Sequence, residues 1–208
     1  MTHVGHSEKV FAMRVFIAVL VLIFSLQSWT KADDIRDFQI EGMAIGDSLL
    51  DYFNESDIIV KTAKNTRYKN KRYSYLMLDS YFEDYNFTTY EAVYVHYQSK
   101  DNKYKIQGIS GILDFKDKIK ECYEKMRDID LELSALFKSL EISKGSKFKH
   151  TGDKKGNTTI KENSYKSSDE WSVTLQCYDW SEESGHNDHL RITIRNKDYS
   201  YFLKNEAY

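Results

Sequence analysis

The sequence predicts an α+β domain in which an antiparallel sheet carries helices on one face. Three features support this prediction: a long amphipathic helical pattern near the middle of the chain, several short runs of alternating apolar residues, and a hairpin-like loop between two of these runs. Strands with one apolar face are typical of antiparallel sheets covered on one side. A second interpretation, equally compatible with the element order, is two tandem helix-then-three-strand units, 33–113 and 114–208.

The first 32 residues have the pattern of a secretory signal peptide. Arg14 precedes an apolar run, 15–26, that only Ser25 interrupts, and Thr30 and Ala32 are suitably placed for a cleavage site. Signal peptides need roughly 7–15 apolar residues, whereas a membrane span needs about 20. We expect cleavage after Ala32, no stable membrane span afterwards, and a single domain, 33–208, that is periplasmic or secreted. An uncleaved anchor is the alternative.

The charge of the chain argues against nucleic acid as its partner. The sequence has 30 basic and 32 acidic residues, and loss of residues 1–32 removes three basic residues and one acidic residue, which leaves a net charge of about −4. Proteins that bind nucleic acid instead present a clear basic surplus or patch.

Before the long helix, the patterns predict one short helix and three strands. The helix is expected within 38–53, where apolar residues recur at helical spacing behind Asp47 and Ser48. The strands are expected near 72–79, 91–98 and 104–113, and the polar residues 99–103 predict a hairpin loop between the second and third.

The long helix is the clearest element of the sequence. Asp114 is expected to cap a helix that begins near Lys116 and continues to Leu140, because apolar residues recur every three or four positions between them. The polar stretch that follows, up to Asn157, lacks any apolar period and predicts a mobile loop. Strands are then expected near 158–165, 171–179 and 189–195, and a short aromatic run, 199–203, is a candidate fourth strand.

The two cysteines of the chain, Cys122 and Cys177, predict one disulfide. An exported protein meets an oxidising compartment, where an even number of cysteines favours pairing. Cys122 lies on the apolar stripe of the long helix, and Cys177 shares a strand face with Val173 and Leu175. Two separate buried thiols are the alternative.

Three segments, IEGMAIGDSLLDYF, QGISGILDFKDKIKECYEKM and LQCYDWSEESGHNDHLRITI, resemble a family of uncharacterised secreted proteins of marine alphaproteobacteria with small genomes. That resemblance implies export but no activity. Ile40, Gly42 and Met43 also resemble the start of the first helix in the helix-and-sheet units of beta-lactamase inhibitor proteins and small outer-membrane assembly lipoproteins. This second resemblance implies a fold, and a fold alone does not imply a function.

An aromatic loop is the first candidate for a binding site. Aromatic side chains supply large contact areas at low entropic cost, so these rings would suit an envelope protein, a peptide or a glycan. Closure of one end of the core is the structural alternative for some of them. The candidate residues are Tyr81, Phe82, Tyr85, Phe87 and Tyr90.

A histidine-containing loop is the second candidate. His186, Asp188 and His189 are side chains that a metal ion can use as ligands. An ordinary polar turn between two strands explains the same residues, because no third fixed ligand is evident.

Without a local catalytic signature, we expect a non-catalytic binding module that needs no cofactor. A small secreted hydrolase or a metal-dependent enzyme that uses the histidine loop is the alternative. A tightly bound metal would favour the enzyme, and a partner lost on changing Tyr85 and Phe87 to Ala would favour the binding module.

Mass spectrometry of the exported protein is expected to find Asp33 at its amino terminus, because Ala32 completes the cleavage pattern. Recovery of the intact apolar segment from washed membranes would show instead that the chain keeps an anchor.

Overall fold

Seven strands pair into one antiparallel sheet in the computed structural model, which describes residues 35–63, 68–80, 85–150, 152–153 and 157–207. The strands are β1 (Gln39–Ile40), β2 (Met43–Ala44), β3 (Tyr73–Asp79), β4 (Ala92–Gln98), β5 (Ile106–Lys116), β6 (Glu141–Lys149), β7 (Thr159–Lys166), β8 (Ser172–Asp179) and β9 (Asp188–Arg195). The helices are α1 (Glu55–Ala63), α2 (Ile119–Leu136) and α3 (Lys197–Asn205).

Two meanders make up the large sheet, whose strand order is β3-β4-β5-β9-β8-β7-β6. The first meander runs from β3 to β5, and α2 then leads to the far edge, where the second meander begins at β6 and returns to β9. The β5 and β9 strands pair along their length and join the two halves. The β1–β2 hairpin forms a separate two-stranded sheet, and its β1 strand contacts β5. The predicted α+β class with an antiparallel sheet is therefore confirmed.

The predicted signal peptide lies outside the described residues. Within the described part of the chain, no helix has both the length and the apolar composition needed to cross a bilayer.

One face of the sheet is apolar and carries α2. Alternate residues of the central strands point to this face, including Ile109 on β5, Ile192 on β9 and Leu175 on β8, and all three are buried. The apolar stripe of α2 covers them. Its buried members are Cys122, Met126, Ile129 and Leu133. The alternation of apolar residues in these strands, which the sequence shows, therefore results from the packing of α2 on this face.

The other face of the sheet carries α3, so the prediction of helices on one face only is not confirmed. Gly108 alternates with Ile109 and therefore points away from α2. A Cβ atom at Gly108 would overlap the ring of Tyr199 on α3. Tyr199 and Phe202 pack there against Tyr73 on β3, with ring centroids 5.1 and 4.6 Å away. Residues 199–203, the candidate fourth strand, lie in helix α3 instead. Asn196 caps this helix by accepting a hydrogen bond from the Tyr199 amide.

A disulfide joins α2 to the sheet, as predicted. Cys122 on α2 and Cys177 on β8 are bonded, with their Cα atoms 6.1 Å apart, and both residues are buried. The prediction succeeded because the helix stripe and the strand face that carry the two cysteines meet in the same interface.

A second connection joins α2 to β6 and β7. Asp130 on α2 accepts hydrogen bonds from Lys144 at 2.7 Å, from Asn163 at 2.8 Å and from the Tyr165 hydroxyl. Burial acts to raise the pKa of Asp130, but the hydrogen bonds from these three side chains outweigh it and hold the pKa below its usual value. The carboxylate is thus kept charged inside the protein by its partners.

Residues 38–53 do not form the predicted amphipathic helix. The Asp47 carboxylate accepts a hydrogen bond from the Ala44 amide at 2.8 Å and closes a turn after the β1–β2 hairpin, where Gly46 has a φ of 97° that a helix excludes. Ser48 then caps only a single 3-10 turn, Leu49–Asp51. Side chain-to-backbone bonding of Asp47 and Ser48 competes here with helix formation.

The long helix is shorter than its apolar stripe. The β5 strand continues to Lys116, and the Asp114 carboxylate binds the amide of Lys116 and the side chain of Asn187 instead of capping the helix. Helix α2 therefore starts at Ile119, and its backbone leaves helical geometry at Phe137. The apolar residues beyond that point belong to the connection into β6.

The loop expected after the helix contains a strand. Residues 141–149 form β6 at the edge of the sheet, and all nine side chains are exposed. Because none of its residues is buried, this edge strand shows no apolar alternation in the sequence. Its lysines discourage pairing with other chains. The remaining predicted strands agree with the structure within a few residues, and so does the hairpin loop between β4 and β5.

Reduction of the Cys122–Cys177 disulfide is expected to lower the melting temperature. The bond closes a sequence separation of 55 residues, which on the chain-entropy model stabilises the fold by about 4 kcal/mol. Calorimetry with and without reductant measures this loss, and the Cys122→Ala/Cys177→Ala double variant should lose a similar amount and no longer respond to reductant. Alkylation of both thiols in unreduced, denatured protein would contradict the assignment.

Candidate functional site

The structure places three of the five predicted aromatic residues, because Tyr81 and Phe82 lie outside the described part of the chain. The rings of Tyr85 and Phe87 stack with centroids 5.3 Å apart. Tyr90 is buried, and its ring occupies the space that a Cβ atom of Gly111 would need. Tyr90 therefore closes the core, whereas Tyr85 and Phe87 are partly exposed. Tyr85 also contacts the ring of Phe53 and the Lys61 ammonium group.

The backbone of this loop is held by Glu41. Its carboxylate accepts hydrogen bonds from the amides of Thr88, Thr89 and Tyr90 at 2.8–3.0 Å. Three bonds to one carboxylate order the end of the aromatic loop, and the role of Tyr85 and Phe87 in binding stays a prediction.

The histidine loop does not bring its predicted metal ligands together. Asp188 is only 6% exposed and accepts a hydrogen bond from the Trp180 amide at 2.8 Å and another from the Ile119 amide at the start of α2. His189, the next residue of β9, points to the other face of the sheet. Among the described residues, no three histidine, cysteine or carboxylate side chains are grouped as a metal site would need.

His189 belongs to an aromatic stack. Its ring lies 4.5 Å from that of Tyr178, and its Nδ1 atom is 3.1 Å from Trp180 Nε1 and 3.2 Å from the Asn187 carbonyl oxygen. Burial lowers the pKa of His189 to about 3, and the nearby positive charge of Arg191 acts in the same direction. His189 is therefore a neutral, packed side chain.

A polar cleft, which the sequence patterns did not predict, opens on the face of the sheet opposite α2. Its floor is a row of three buried hydroxyl residues, Ser110 on β5, Thr193 on β9 and Thr174 on β8, which are direct neighbours in the strand register. The hydroxyls of Ser110 and Thr193 lie 2.8 Å apart.

One wall of the cleft is built around Arg191. Its guanidinium carbon lies 5.4 Å from the ring centroid of Tyr94 and 4.9 Å from that of Tyr178. Gln176 stands beside it in the register and accepts a hydrogen bond from the Tyr178 hydroxyl at 3.0 Å. Two aromatic rings and a polar neighbour thus restrict the orientation of this arginine.

Arg195 and α3 form the other wall. The hydroxyl of Tyr199 lies 2.6 Å from the hydroxyl of Tyr68, which in turn lies 3.2 Å from Nδ1 of the buried His96. Leu203 completes this side of the cleft. Because Tyr199 stacks on His96 at 4.8 Å, the wall is a packed extension of the core.

The cleft has an unusual balance of charge. It has a volume of about 150 Å³, and the described residues that line it include two arginines and a histidine but no aspartate or glutamate. The Nε atoms of Arg191 and Arg195 are buried, and neither has a hydrogen-bond partner among the described residues. Buried polar groups in proteins are almost always paired, so these atoms indicate a place for an acceptor.

A larger cavity of about 400 Å³ lies between α2 and strands β6 and β7. Several of its polar groups are bound within the protein: Lys144 donates to Asp130 at 2.7 Å, and the Gly145 amide donates to Asn163 at 2.8 Å. Since these groups are satisfied within the protein, this cavity is a weaker candidate for a ligand than the polar cleft.

Comparison with known proteins gives no further guide to the site, because no family model, curated protein or solved structure matches this chain.

The stability of the protein is expected to fall between pH 6.5 and pH 3 through His189. Because its pKa is lower in the folded state, the unfolded chain binds a proton that the folded chain excludes, at a cost of up to about 1.4 kcal/mol per pH unit. Denaturation across this range should show a shallower loss for His189→Phe than for the parent, with His186→Phe as the exposed control. A His189 imidazole that titrates by NMR near pH 6.5 would refute the assignment.

Proposed function

We propose that this chain is an exported, non-catalytic binding protein and that the polar cleft is where its ligand binds. The observation that carries the proposal is the pair of buried, unpartnered guanidinium Nε atoms above a floor of hydroxyl groups. Such groups lower stability when left unpaired, and a ligand that supplies acceptors would remove that cost.

Export is supported by two independent features. Residues 1–32 have the order of a signal peptide, and Cys122 and Cys177 form a disulfide of the kind that persists in oxidising compartments. The ligand is therefore expected among components of the cell envelope or its surroundings. A peptide, a glycan or a group displayed by an envelope protein fits this location.

Binding is favoured over catalysis by the surroundings of the cleft. General acid and base catalysis needs a titratable pair that faces the substrate. Here the Ser110 hydroxyl is within hydrogen-bond distance of Thr193, and no carboxylate lines the cleft among the described residues. His96 also lines the cleft, but its ring is buried beneath Tyr199, and its Nδ1 atom lies 3.2 Å from the Tyr68 hydroxyl. The alternative, a metal-dependent hydrolase at the histidine loop, is disfavoured because Asp188 and His189 point to opposite faces.

NMR titration with the low-molecular-mass fraction of an envelope extract tests the proposal. Amides of β4, β5, β8 and β9 around the cleft are expected to shift. Gln176→Trp should abolish the shifts by filling the cleft, whereas Ser164→Trp, on the same sheet face in the neighbouring strand but outside the cleft, should leave them unchanged.

Shifts confined to residues 85–90 would overturn the polar cleft in favour of the aromatic loop, and the absence of any shift would overturn it as well. Turnover of chromogenic ester, phosphate or peptide substrates that Gln176→Trp abolishes would favour an enzyme instead.

A further inference from the structure

The register of three strands places positive charge on both sides of the cleft floor. On β9, Arg191 and Arg195 flank Thr193, and all three side chains point to the same face because they alternate with Ile192 and Ile194. The hydroxyl row therefore runs across the sheet between two guanidinium groups.

Neither guanidinium has a carboxylate partner in the part of the chain that the structure describes. Among the described residues, no ion pair involves Arg191 or Arg195, although the chain as a whole has more acidic than basic residues. Glu162 on β7, two strands away from β9, accepts a hydrogen bond from Gln176 at 2.6 Å. Partly buried positive charge without a counter-charge is costly, and an anionic ligand would offset that cost.

The size of the cleft limits what can enter it. Sites for drug-sized ligands have volumes of about 300–1,000 Å³. At about 150 Å³, this cleft suits one compact group, and the rest of a larger ligand would lie on the open face of the sheet.

The arrangement of donors favours a tetrahedral group over a planar one. Guanidinium groups on both sides of the floor and hydroxyls on it can offer donors from three directions. This suits the four oxygens of a phosphate or sulfate, whereas a carboxylate has two oxygens in one plane. Arginine is also the side chain best suited to such oxyanions, because its donors form a rigid fork.

We propose that the cleft binds a tetrahedral oxyanion, the phosphate or sulfate group of an envelope ligand, between Arg191 and Arg195 and above the hydroxyls of Ser110, Thr174 and Thr193. This assignment rests on the proposed binding function and adds the chemical class of the ligand.

Calorimetric titration of the exported chain with inorganic phosphate, sulfate and acetate tests the assignment. Phosphate or sulfate should bind at least about 10-fold more tightly than acetate. Arg191→Gln and Arg195→Gln should each weaken that binding by about 10-fold or more, as loss of a charge-assisted hydrogen bond implies. The matched control is Arg127→Gln on the exposed side of α2, which should change affinity less than 2-fold.

Circular dichroism melting should verify that each variant folds. The variants Arg191→Lys and Arg195→Lys keep the positive charge but lose the forked donors of arginine, so they should bind phosphate or sulfate more weakly than the parent.

The relative affinity of phosphate and sulfate identifies which group the cleft prefers. Equal or tighter binding of acetate would overturn the assignment, as would equal weakening by Arg127→Gln. If none of the anions binds while the envelope fraction still shifts the cleft amides, the oxyanion is wrong and the binding function stands; if neither acts, both fail.

Discussion

The pairing of β5 with β9 is the constraint on which both the core and the cleft depend. These strands come from different meanders, and their register places Ile109 beside Ile194 on one face and Ser110 beside Thr193 on the other. A shift of one residue would exchange the two faces and bury the hydroxyls beneath α2. Packing of the apolar face therefore fixes the register of β5 and β9. This register in turn determines which polar residues are neighbours on the opposite face.

The elements that the sequence predicted well are those whose local pattern matches their final environment. The apolar stripe of α2 and the alternation in β8 and β9 reflect burial on one side, and the same two patterns place Cys122 and Cys177 in a shared interface. The sequence-based predictions were wrong where contacts with distant parts of the chain determine the local structure. β6 has no buried face to reveal it, and residues 199–203 form a helix because a capping residue, Asn196, precedes them and a cluster of tyrosines receives their rings.

The cleft could be predicted from the sequence only in part. The alternate positions of β9 outside its apolar set are His189, Arg191, Thr193 and Arg195, and two arginines on one strand face are a visible signal. That these arginines belong to a cleft could not be predicted, because this depends on the strand order. Ser110 is 83 residues from Thr193 in the chain, and α3 forms a wall only because it packs on this face of the sheet. The aromatic and histidine loops stood out by composition, yet Tyr90 packs into the core and the His189 ring stacks on Tyr178.

The two faces of the sheet differ in how far their side chains are satisfied within the protein. On the α2 face, the disulfide and the Asp130 hydrogen bonds hold the apolar packing of α2 in place. The opposite face keeps two guanidinium groups and a row of hydroxyls where apolar side chains would lower the free energy of the fold. The buried Nε atoms of Arg191 and Arg195 have no hydrogen-bond partner among the described residues, and such atoms oppose folding. Their position between the aromatic supports of Arg191 and the packed wall of α3 therefore favours the proposed ligand, which would complete their hydrogen bonds.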